Sequence, residues 1–337
     1  MLNVAIVGAG NVGKIRSDVI RRSSLSRVQI VTDVDEARAS ALASSVGANA
    51  TTDWSAAVRS PKIDVVVVST PTKFHAQIVK GALEAGKHVL CEKPLARSAT
   101  EAREVIALAK ENGLVLKTGF NYRYMDHVSK AKELLESELL GPLYFLRCRY
   151  GHGGKPGYEN HWCTDLDLSG GGALLEQGIH IVDLVRYLLG EPTQVLAFAG
   201  RFFWNFAAVE DNCFLLLKTK SSQTAQIHVS WTQWINIFSL ELFGRDGYLE
   251  LSGRDGHYGP QRVLWGKRRP DHGRPEEQVF EFTAPDLSWE REWTEFLDVI
   301  GGHGRPMGTP ADSLRALQLV EAAYQSSRDE AWVQVQE

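Results

Sequence analysis

The sequence predicts an α/β protein: an N-terminal doubly wound parallel sheet followed by a C-terminal α+β domain with a large, mostly antiparallel open sheet. The first observation is length, because 337 residues suit two domains of roughly 100–200 residues each. The second is a change near residue 121, where strand–helix alternation gives way to successive strand-like runs. The third is tryptophan usage, since Trp54 is the only one of nine within the first 161 residues. These observations predict domains at 1–121 and 122–337.

Short runs rich in Val and Ile alternate with helical patterns in the first domain. Because parallel neighbours need crossover connections, this alternation predicts a parallel sheet covered by helices on both faces. The predicted strands are 2–7, 28–31, 65–68, 88–91 and 114–117, and the predicted helices are 18–22, 36–46, 72–85 and 98–112.

Alternating strand patterns dominate the second domain, with turn sequences at 220–223 and 244–247 that favour hairpins. The predicted strands are 143–150, 194–198, 213–219, 224–232, 238–243 and 248–251, and the predicted helices are 129–137, 173–189, 289–300 and 311–327. The last two helices are candidates to pack back on the first domain.

Composition excludes several classes of protein. With 44% hydrophobic and 23% charged residues the chain is not of the disordered type. A net charge of −4 argues against a nucleic-acid partner, since phosphate binding needs clustered cations. No apolar run approaches the roughly 18–20 residues that span a bilayer, and the start lacks a basic region, so neither a membrane partner nor secretion is expected. Four cysteines without C-x-x-C spacing suggest reduced thiols and a cytoplasmic location.

The segment GAGNVG, residues 8–13, lies between the first predicted strand and a helical pattern. Gly8 permits a tight turn, Gly10 lets the backbone approach a pyrophosphate, and Gly13 lets helix and strand pack closely. The alternative is a purely structural glycine turn. The context favours a Rossmann dinucleotide site, whose predicted cofactor-binding residues here are Gly8, Gly10, Asn11, Val12 and Gly13.

Asp33 lies twenty residues beyond Gly13, at the end of the second predicted strand. A carboxylate there accepts hydrogen bonds from the adenosine ribose and repels a 2′-phosphate. The sequence therefore predicts NAD rather than NADP, although Arg38 is close enough along the chain to offer a cation to NADP.

Two further segments follow predicted parallel strands, 69–72 and 91–96. Ligands bind at the carboxyl ends of strands in open α/β sheets. Lys93 is a candidate to donate to a substrate oxygen and to place positive charge near a reacting hydroxyl, the alternative being an ordinary salt-bridged lysine.

The predicted helix at 173–189 carries three chemical groups at helical spacing, Glu176, His180 and Asp183. The spacings i,i+4 and i,i+3 place them on one face. Imidazole can take a hydroxyl proton as hydride leaves the same carbon, and a carboxylate can orient it. Gly178 would let a ligand or a backbone segment come close. The alternatives are an exposed Glu–His pair and a metal site, which the absence of H-E-x-x-H spacing disfavours, so no metal is predicted.

Together these segments resemble the Gfo/Idh/MocA family of NAD(P)-dependent oxidoreductases, over nearly the whole chain. The resemblance rests on GAGNVG, S-T-P-T-x-x-x-H ending at His75, CEKPLA, GFNYR at 119–123, GGGALLEQGIHIVD and the stretch 322–327. It implies a Rossmann domain and a C-terminal domain whose open sheet forms a homodimer or homotetramer interface.

The resemblance also implies roles for individual residues. Lys93 would touch the nicotinamide ribose and the reacting hydroxyl, His180 would be the general base and Asp183 would orient it. Glu176 would bind substrate, although many members carry Asp there. The family's Lys–Pro bond is often cis, and Pro94 would then set the angle of Lys93. Further cofactor-binding residues would be Thr70, Pro71, His75 and Glu92.

Family substrates are mostly sugars, inositols, sugar acids and nucleotide sugars. The segment 150–162 mixes aromatics, cations and glycines and suits a carbohydrate, with Tyr158 and Trp162 as substrate contacts or as mere anchors of the loop. Asn121, Tyr122 and Arg123, after the last parallel strand, should face the same cleft, where Arg123 holds a carboxylate or phosphate or braces the domains.

Three functions are compatible with this reading. The first is an NAD-dependent dehydrogenase or reductase acting on a carbohydrate-like substrate. The second is a redox-neutral, NAD-dependent glycoside-cleaving enzyme. The third, a cofactor-sensing regulatory protein, is disfavoured because both Lys93 and His180 are present.

Overall fold

The structure is a computed structural model that describes residues 1–205, 208–304 and 306–335. The chain divides into two compact units. The first comprises Met1–Asn121 with Trp289–Arg315, and the second comprises Tyr122–Ser288 with Ala316–Glu337.

The first unit is built on a six-stranded, all-parallel sheet in the order β3-β2-β1-β4-β5-β6. This order confirms the predicted doubly wound sheet. The sequence order of the strands reverses between β1 and β4, and sheets of this type bind ligands at that point. The strands are β1 (Leu2–Val7), β2 (Ser26–Thr32), β3 (Asn49–Thr51), β4 (Val65–Val68), β5 (His88–Glu92) and β6 (Leu116–Gly119). The helices are α1 (Asn11–Arg22), α2 (Glu36–Val46), α3 (Trp54–Arg59), α4 (His75–Glu84) and α5 (Ala99–Glu111), followed much later by α9 (Ser288–Ile300).

Burial explains why these apolar runs become central strands. Val65–Val68 is completely buried, as expected for a strand covered on both faces. Helix α9 supplies part of that cover, since Trp293 and Phe296 join the core formed by β1, β2 and β4. The Trp293 indole N–H also donates to the Ser26 hydroxyl at 3.0 Å.

The second unit contains a nine-stranded sheet in the order β14-β13-β12-β11-β7-β10-β9-β8-β15. Only β7 and β10 pair in parallel among its described strands, which confirms the mostly antiparallel prediction. The strands are β7 (Leu143–Gly151), β8 (Pro192–Gly200), β9 (Asn212–Thr219), β10 (Thr224–Ser230), β11 (Ile237–Gly244), β12 (Gly247–Ser252), β13 (Gln261–Lys267), β14 (Glu276–Phe282) and β15 (Val333–Gln334). Its helices are α6 (Asp126–Glu136), α7 (Leu166–Ser169), α8 (Ile179–Leu188) and α10 (Pro310–Asp329), the last beginning in the first unit.

Several short or polar elements were not predicted. Strand β3 and helix α3 are too short to show a period, and α3 depends on its cap, where the Asp53 carboxylate accepts from the Ala56 N–H at 3.0 Å. Strand β14 is mostly exposed and rich in Glu, so it lacks the alternation that identifies a strand. Helix α1 begins at Asn11, seven residues before the predicted start, because the glycine turn leads directly into it.

None of the described helices combines the length and apolarity that a bilayer-spanning segment requires.

Candidate functional site

The glycine turn between β1 and α1 is packed so tightly that side chains are excluded at two positions. Gly8 has φ +104°, and a Cβ there would lie 2.5 Å from the Ser69 carbonyl oxygen. A Cβ on Gly13 would lie 2.0 Å from the Gly8 carbonyl oxygen. Because Gly8 and Gly13 have no side chains, the start of α1 can pack directly against the ends of β1 and β4.

Gly10, by contrast, has no atom within 4 Å of the position a Cβ would take. It forms the N-cap of α1 without a side-chain hydrogen bond, and the first turn, which includes Asn11 and Val12, carries no acidic residue. An open backbone with outward N–H groups and the positive end of a helix dipole suits a pyrophosphate. The turn therefore fits a dinucleotide.

Asp33, at the end of β2, is tied to this turn. Its Oδ2 accepts from the Ala9 N–H at 2.8 Å, and its Oδ1 accepts from the Asp35 N–H at 2.9 Å. The exposed Arg38 guanidinium also donates to Oδ1 at 2.9 Å. The carboxylate thus lies at the rim of the glycine turn, with the Arg38 guanidinium held beside it.

His75 joins two of the predicted cofactor loops rather than presenting its ring to solvent. Its Nδ1 lies 2.7 Å from the Pro94 carbonyl oxygen and its Nε2 lies 2.8 Å from the Thr70 carbonyl oxygen. The side chain is buried, and burial lowers the pKa of the imidazole. His75 therefore positions the loop that contains Thr70 and Pro71, and a direct contact with a cofactor is not what its geometry offers.

Glu92 belongs to a buried ion cluster. Its Oε1 accepts from the Arg16 Nε at 2.7 Å, and Arg16 also lies 2.6 Å from Glu292 of α9. Gly119 makes room for the cluster, since a Cβ there would lie 2.8 Å from Glu92 Oε2. Glu92 thus anchors the loop instead of extending towards a ligand.

Lys93 follows this anchored residue directly. Its side chain is half-buried, and the Lys93–Pro94 peptide bond is cis. The loop is fixed on one side by Arg16 through Glu92 and on the other by His75 through Pro94. The position of the Lys93 backbone is therefore set by residues of two other elements, α1 and α4.

The helix carrying Glu176 and His180 is not a regular α-helix. Leu174–Gly178 forms a π-helical turn, and α8 begins only at Ile179. The wider turn changes the angle between Glu176 and His180, but residues four apart remain about one turn apart along the helix. The space beside Gly178 is filled by the Leu174 and Val229 side chains, so close approach there is made by the protein itself and not by a ligand.

The glycines that precede this helix serve a buried carboxylate. Glu210 accepts from the Gly172 and Leu174 N–H groups at 3.0 and 2.8 Å and from the Tyr324 hydroxyl at 2.9 Å. Burial raises the pKa of Glu210, while these hydrogen bonds act in the opposite direction. Glu210 fixes the start of the helix, and hence Glu176, which is half-buried.

Asp183 forms a buried ion pair that was not predicted. Its two oxygens accept from Arg123, Oδ2 from Nε at 2.8 Å and Oδ1 from Nη2 at 2.6 Å. Both side chains are buried, so Arg123 braces the second unit, and a substrate anion would have to displace Asp183 to reach this face of the guanidinium. Asn121, two residues before Arg123, is also buried and belongs to the 3₁₀ turn Asn121–Tyr124.

His180 is held by an aromatic stack. The Tyr122 ring lies face to face with the imidazole, with centroids 3.9 Å apart and planes 4° apart. The Tyr122 hydroxyl bonds to the Tyr150 hydroxyl and accepts from Arg254. His180, itself buried, is therefore oriented by a side chain that is fixed at its far end.

Tyr158 and Trp162 anchor their loop in a small aromatic core. Tyr158 is buried and contacts the Trp231 ring edge to face, with centroids 5.4 Å apart. Trp162 packs against the same cluster. Two histidines of the loop, His152 and His161, lie beside Tyr158. Burial lowers the pKa of each imidazole. The nearby negative charge of Glu176 acts in the opposite direction on both.

Four residues of this arrangement were not among the predicted site residues. Arg16 had a usable signal, since it lies with Gly13, Ser17 and Ile20 on the buried face of α1. Tyr122 lies in the segment after the last parallel strand that was expected to face the cleft, although no role was assigned to it. Glu210 and Arg254 had no signal, because their contacts depend on how distant segments fold together.

Comparison with known proteins agrees with this geometry. Residues 2–120 match a family described as "Oxidoreductase family, NAD-binding Rossmann fold", and residues 128–250 match "GFO/IDH/MocA C-terminal domain". The uncharacterized oxidoreductase YrbE of Bacillus subtilis is 28% identical over 95% of this chain and 93% of its own length. Levoglucosan dehydrogenase of Pseudarthrobacter phenanthrenivorans is 32% identical over 58% of this chain and 53% of its own.

Among solved structures, a levoglucosan dehydrogenase in complex with NADH has the same fold. Its TM-score is 0.89 at 23% identity, over 100% of this chain and 99% of that chain. The chain therefore belongs to the Gfo/Idh/MocA family of oxidoreductases, and its first unit is an NAD-binding Rossmann domain.

Proposed function

We propose that the protein transfers hydride between a nicotinamide and a secondary alcohol or carbonyl of a sugar, inositol, sugar acid or nucleotide sugar. The observation that carries the proposal is the fixation of both candidate proton-handling groups. Lys93 is positioned by Arg16 and His75 through its neighbours, and His180 is stacked on Tyr122. A fixed loop that presents the lysine and a ring that orients the imidazole support proton transfer at a defined atom.

The chain's own residues then divide the work. The nicotinamide, when bound, accepts or supplies the hydride. His180 takes the proton of the reacting hydroxyl, and Lys93 donates to the same oxygen and stabilises the negative charge that develops on it. Gly8, Gly10 and Gly13, with Asp33, bind the dinucleotide. Glu176 binds a substrate hydroxyl, and Asp183 with Arg123 keeps the His180 helix in place.

A panel of sugars, polyols and sugar acids, incubated with NAD and monitored for reduced nicotinamide, tests the reaction. We expect at least one compound to give net NADH formation. Release of free sugar from a glycoside without net NADH would instead assign the redox-neutral reaction. Inactivity on the whole panel in both directions would contradict the proposal.

We expect a preference for NAD over NADP, which depends on Asp33. Asp33→Ser should raise kcat/KM for NADP about tenfold or more and lower that for NAD, because Arg38 loses its partner at 2.9 Å and a 2′-phosphate is no longer repelled. The measurement is kcat/KM for both cofactors.

Asp35→Ser is the matched control for this change. It removes the second carboxylate near Arg38, 3.4 Å away, while serine remains a good N-cap for α2. The control should keep the NAD preference. A wild-type enzyme that favours NADP would refute the assignment.

We also propose that the open face of the nine-stranded sheet joins copies of the chain into a dimer or tetramer. Phe198 and Phe214 lie opposite each other on β8 and β9, and the Phe214 ring stacks on His228 of β10 at 4.0 Å. Phe198, Phe214 and Leu216 are all exposed in the single chain. A continuous apolar row of this kind on a sheet face is typical of an assembly surface.

Light scattering after size exclusion tests this assembly. Wild-type protein should elute as a dimer or tetramer, and Leu216→Glu with Phe214→Glu should shift it to smaller species by burying charge at the interface. Leu139→Glu, at an apolar residue exposed elsewhere, is the control and should leave the state unchanged. A monomeric wild type would overturn the proposal.

The protein's four cysteines form no disulfide, and we place it in the cytoplasm, without nucleic-acid or membrane partners.

A further inference from the structure

Arg254, which follows β12, places a cation among three tyrosine rings close to His180. Its guanidinium carbon lies 4.6 Å from the Tyr258 ring centroid, 5.2 Å from that of Tyr122 and 5.7 Å from that of Tyr150. One Nη also donates to the Tyr122 hydroxyl. Because Tyr122 stacks on His180, Arg254 is two contacts away from the proposed base.

The charge of Arg254 is not balanced by a carboxylate. Among the described residues Arg254 takes part in no ion pair, and its buried Nε has no hydrogen-bond acceptor. The adjacent Asp255 is held elsewhere, since its Oδ2 accepts from Gln261 Nε2 at 2.6 Å. Gln261 is in turn fixed by the His127 ring, whose Nδ1 lies 2.8 Å from Oε1. Asp255 is therefore kept from neutralising Arg254.

A half-buried guanidinium with unused donors is costly unless something accepts from it. Its planar fork matches a carboxylate, with two parallel N–H···O bonds. Arg123 is not available for this role, because it already makes such a bidentate pair with Asp183, and Arg186 on the His180 helix pairs with Glu191 at 2.8 Å. A negative charge, Glu176, lies in the same region. The charge of Glu176 raises the pKa of both His152 and Tyr258, and the charge of Arg254 lowers the pKa of both.

We propose that Arg254 binds a carboxylate on the substrate, so that the preferred substrate is a sugar acid rather than a neutral sugar. This inference rests on the proposed function, of which it narrows the substrate class. Arg254 would hold the acid group while His180, fixed by Tyr122, faces the reacting hydroxyl. The binding group and the base are then linked through one tyrosine, which sets the spacing between them.

Equilibrium binding to the NADH-loaded protein tests the inference without requiring turnover. Matched pairs that differ only in the acid group are titrated at constant ionic strength: glucuronate with glucose, and galacturonate with galactose. Wild-type protein should bind at least one acid about 10- to 100-fold more tightly than its neutral counterpart. Arg254→Gln should abolish that difference and change the affinity for the neutral sugar by less than about threefold. Arg254→Lys, which keeps the charge but loses the fork, should retain part of the difference.

Three outcomes would overturn the inference. One is that no acid binds more tightly than its neutral partner. Another is that Arg254→Gln weakens acid and neutral sugar equally, which would make Arg254 a support for Tyr122 only. The third is tighter binding of glucose 6-phosphate than of either acid. Arg262→Gln, at an exposed arginine of β13, is the control and should change nothing. Selective acid binding without any NAD-dependent oxidation would leave Arg254 as assigned and contradict the proposed reaction instead.

Discussion

Replacing Lys93 or His180 with alanine should reduce turnover by about 10²- to 10⁴-fold each, the range expected for loss of a positioned acid or base. Binding of NADH should change by less than about tenfold, because the glycine turn and Asp33 remain intact. The measurements are kcat on the best substrate of the panel and the dissociation constant for NADH. Since the two residues act on one oxygen, the double variant should lose less than the product of the two single effects.

Matched substitutions separate chemistry from structure. Lys80→Ala, at an exposed lysine of α4, and His303→Ala, at an exposed histidine, should leave turnover unchanged. Tyr122→Leu removes the ring that stacks on His180 and should lower kcat while the imidazole remains. Near-normal turnover in both Lys93→Ala and His180→Ala would exclude the proposed mechanism.

The fold could be predicted from the sequence wherever one physical constraint dominates. Val65–Val68 is apolar at every position because both faces are covered, and its pattern suffices to identify a central parallel strand. Strand β14 shows the opposite case, since an exposed edge needs no alternation. The glycine turn could be predicted because a side chain at Gly8 or Gly13 would lie only two to three ångströms from backbone atoms. Only glycine fits at these positions, and this requirement is visible in the sequence.

The site was predictable only in part, and for a related reason. Residue types that chemistry requires, such as a lysine after a parallel strand, can be recognised one at a time. What holds them depends on contacts between segments far apart in the chain. Arg16 reaches Glu92 across 76 residues, and Arg123 reaches Asp183 across 60. The resemblance implied that Glu92 contacts the cofactor, and for Arg123 the sequence left both an anion-binding and a bracing role open, because the partners of these charges were not visible in the sequence.

Removing one partner of the buried pair between Arg123 and Asp183 should be strongly destabilising. Arg123→Met removes the bidentate partner of a carboxylate that is 1% exposed, and Asp183→Leu removes the bidentate partner of a guanidinium that is 7% exposed. Each should cost about 3–5 kcal/mol of unfolding free energy. For a unit of this size that corresponds to a decrease in Tm on the order of 10 °C, measurable by calorimetry with and without NADH.

The double variant Arg123→Met with Asp183→Leu distinguishes two roles of Asp183. With both charges removed, apolar packing should restore most of the Tm, because the penalty of a single buried charge is gone. If Asp183 also orients His180, turnover should stay low in this stable variant. Arg245→Met, which breaks the exposed pair with Asp246, is the control and should not change Tm measurably. Recovery of both Tm and turnover would mean that the ion pair serves the fold alone, whereas failure to recover Tm would mean that the pair stabilises the unit by more than cancelling its own charges.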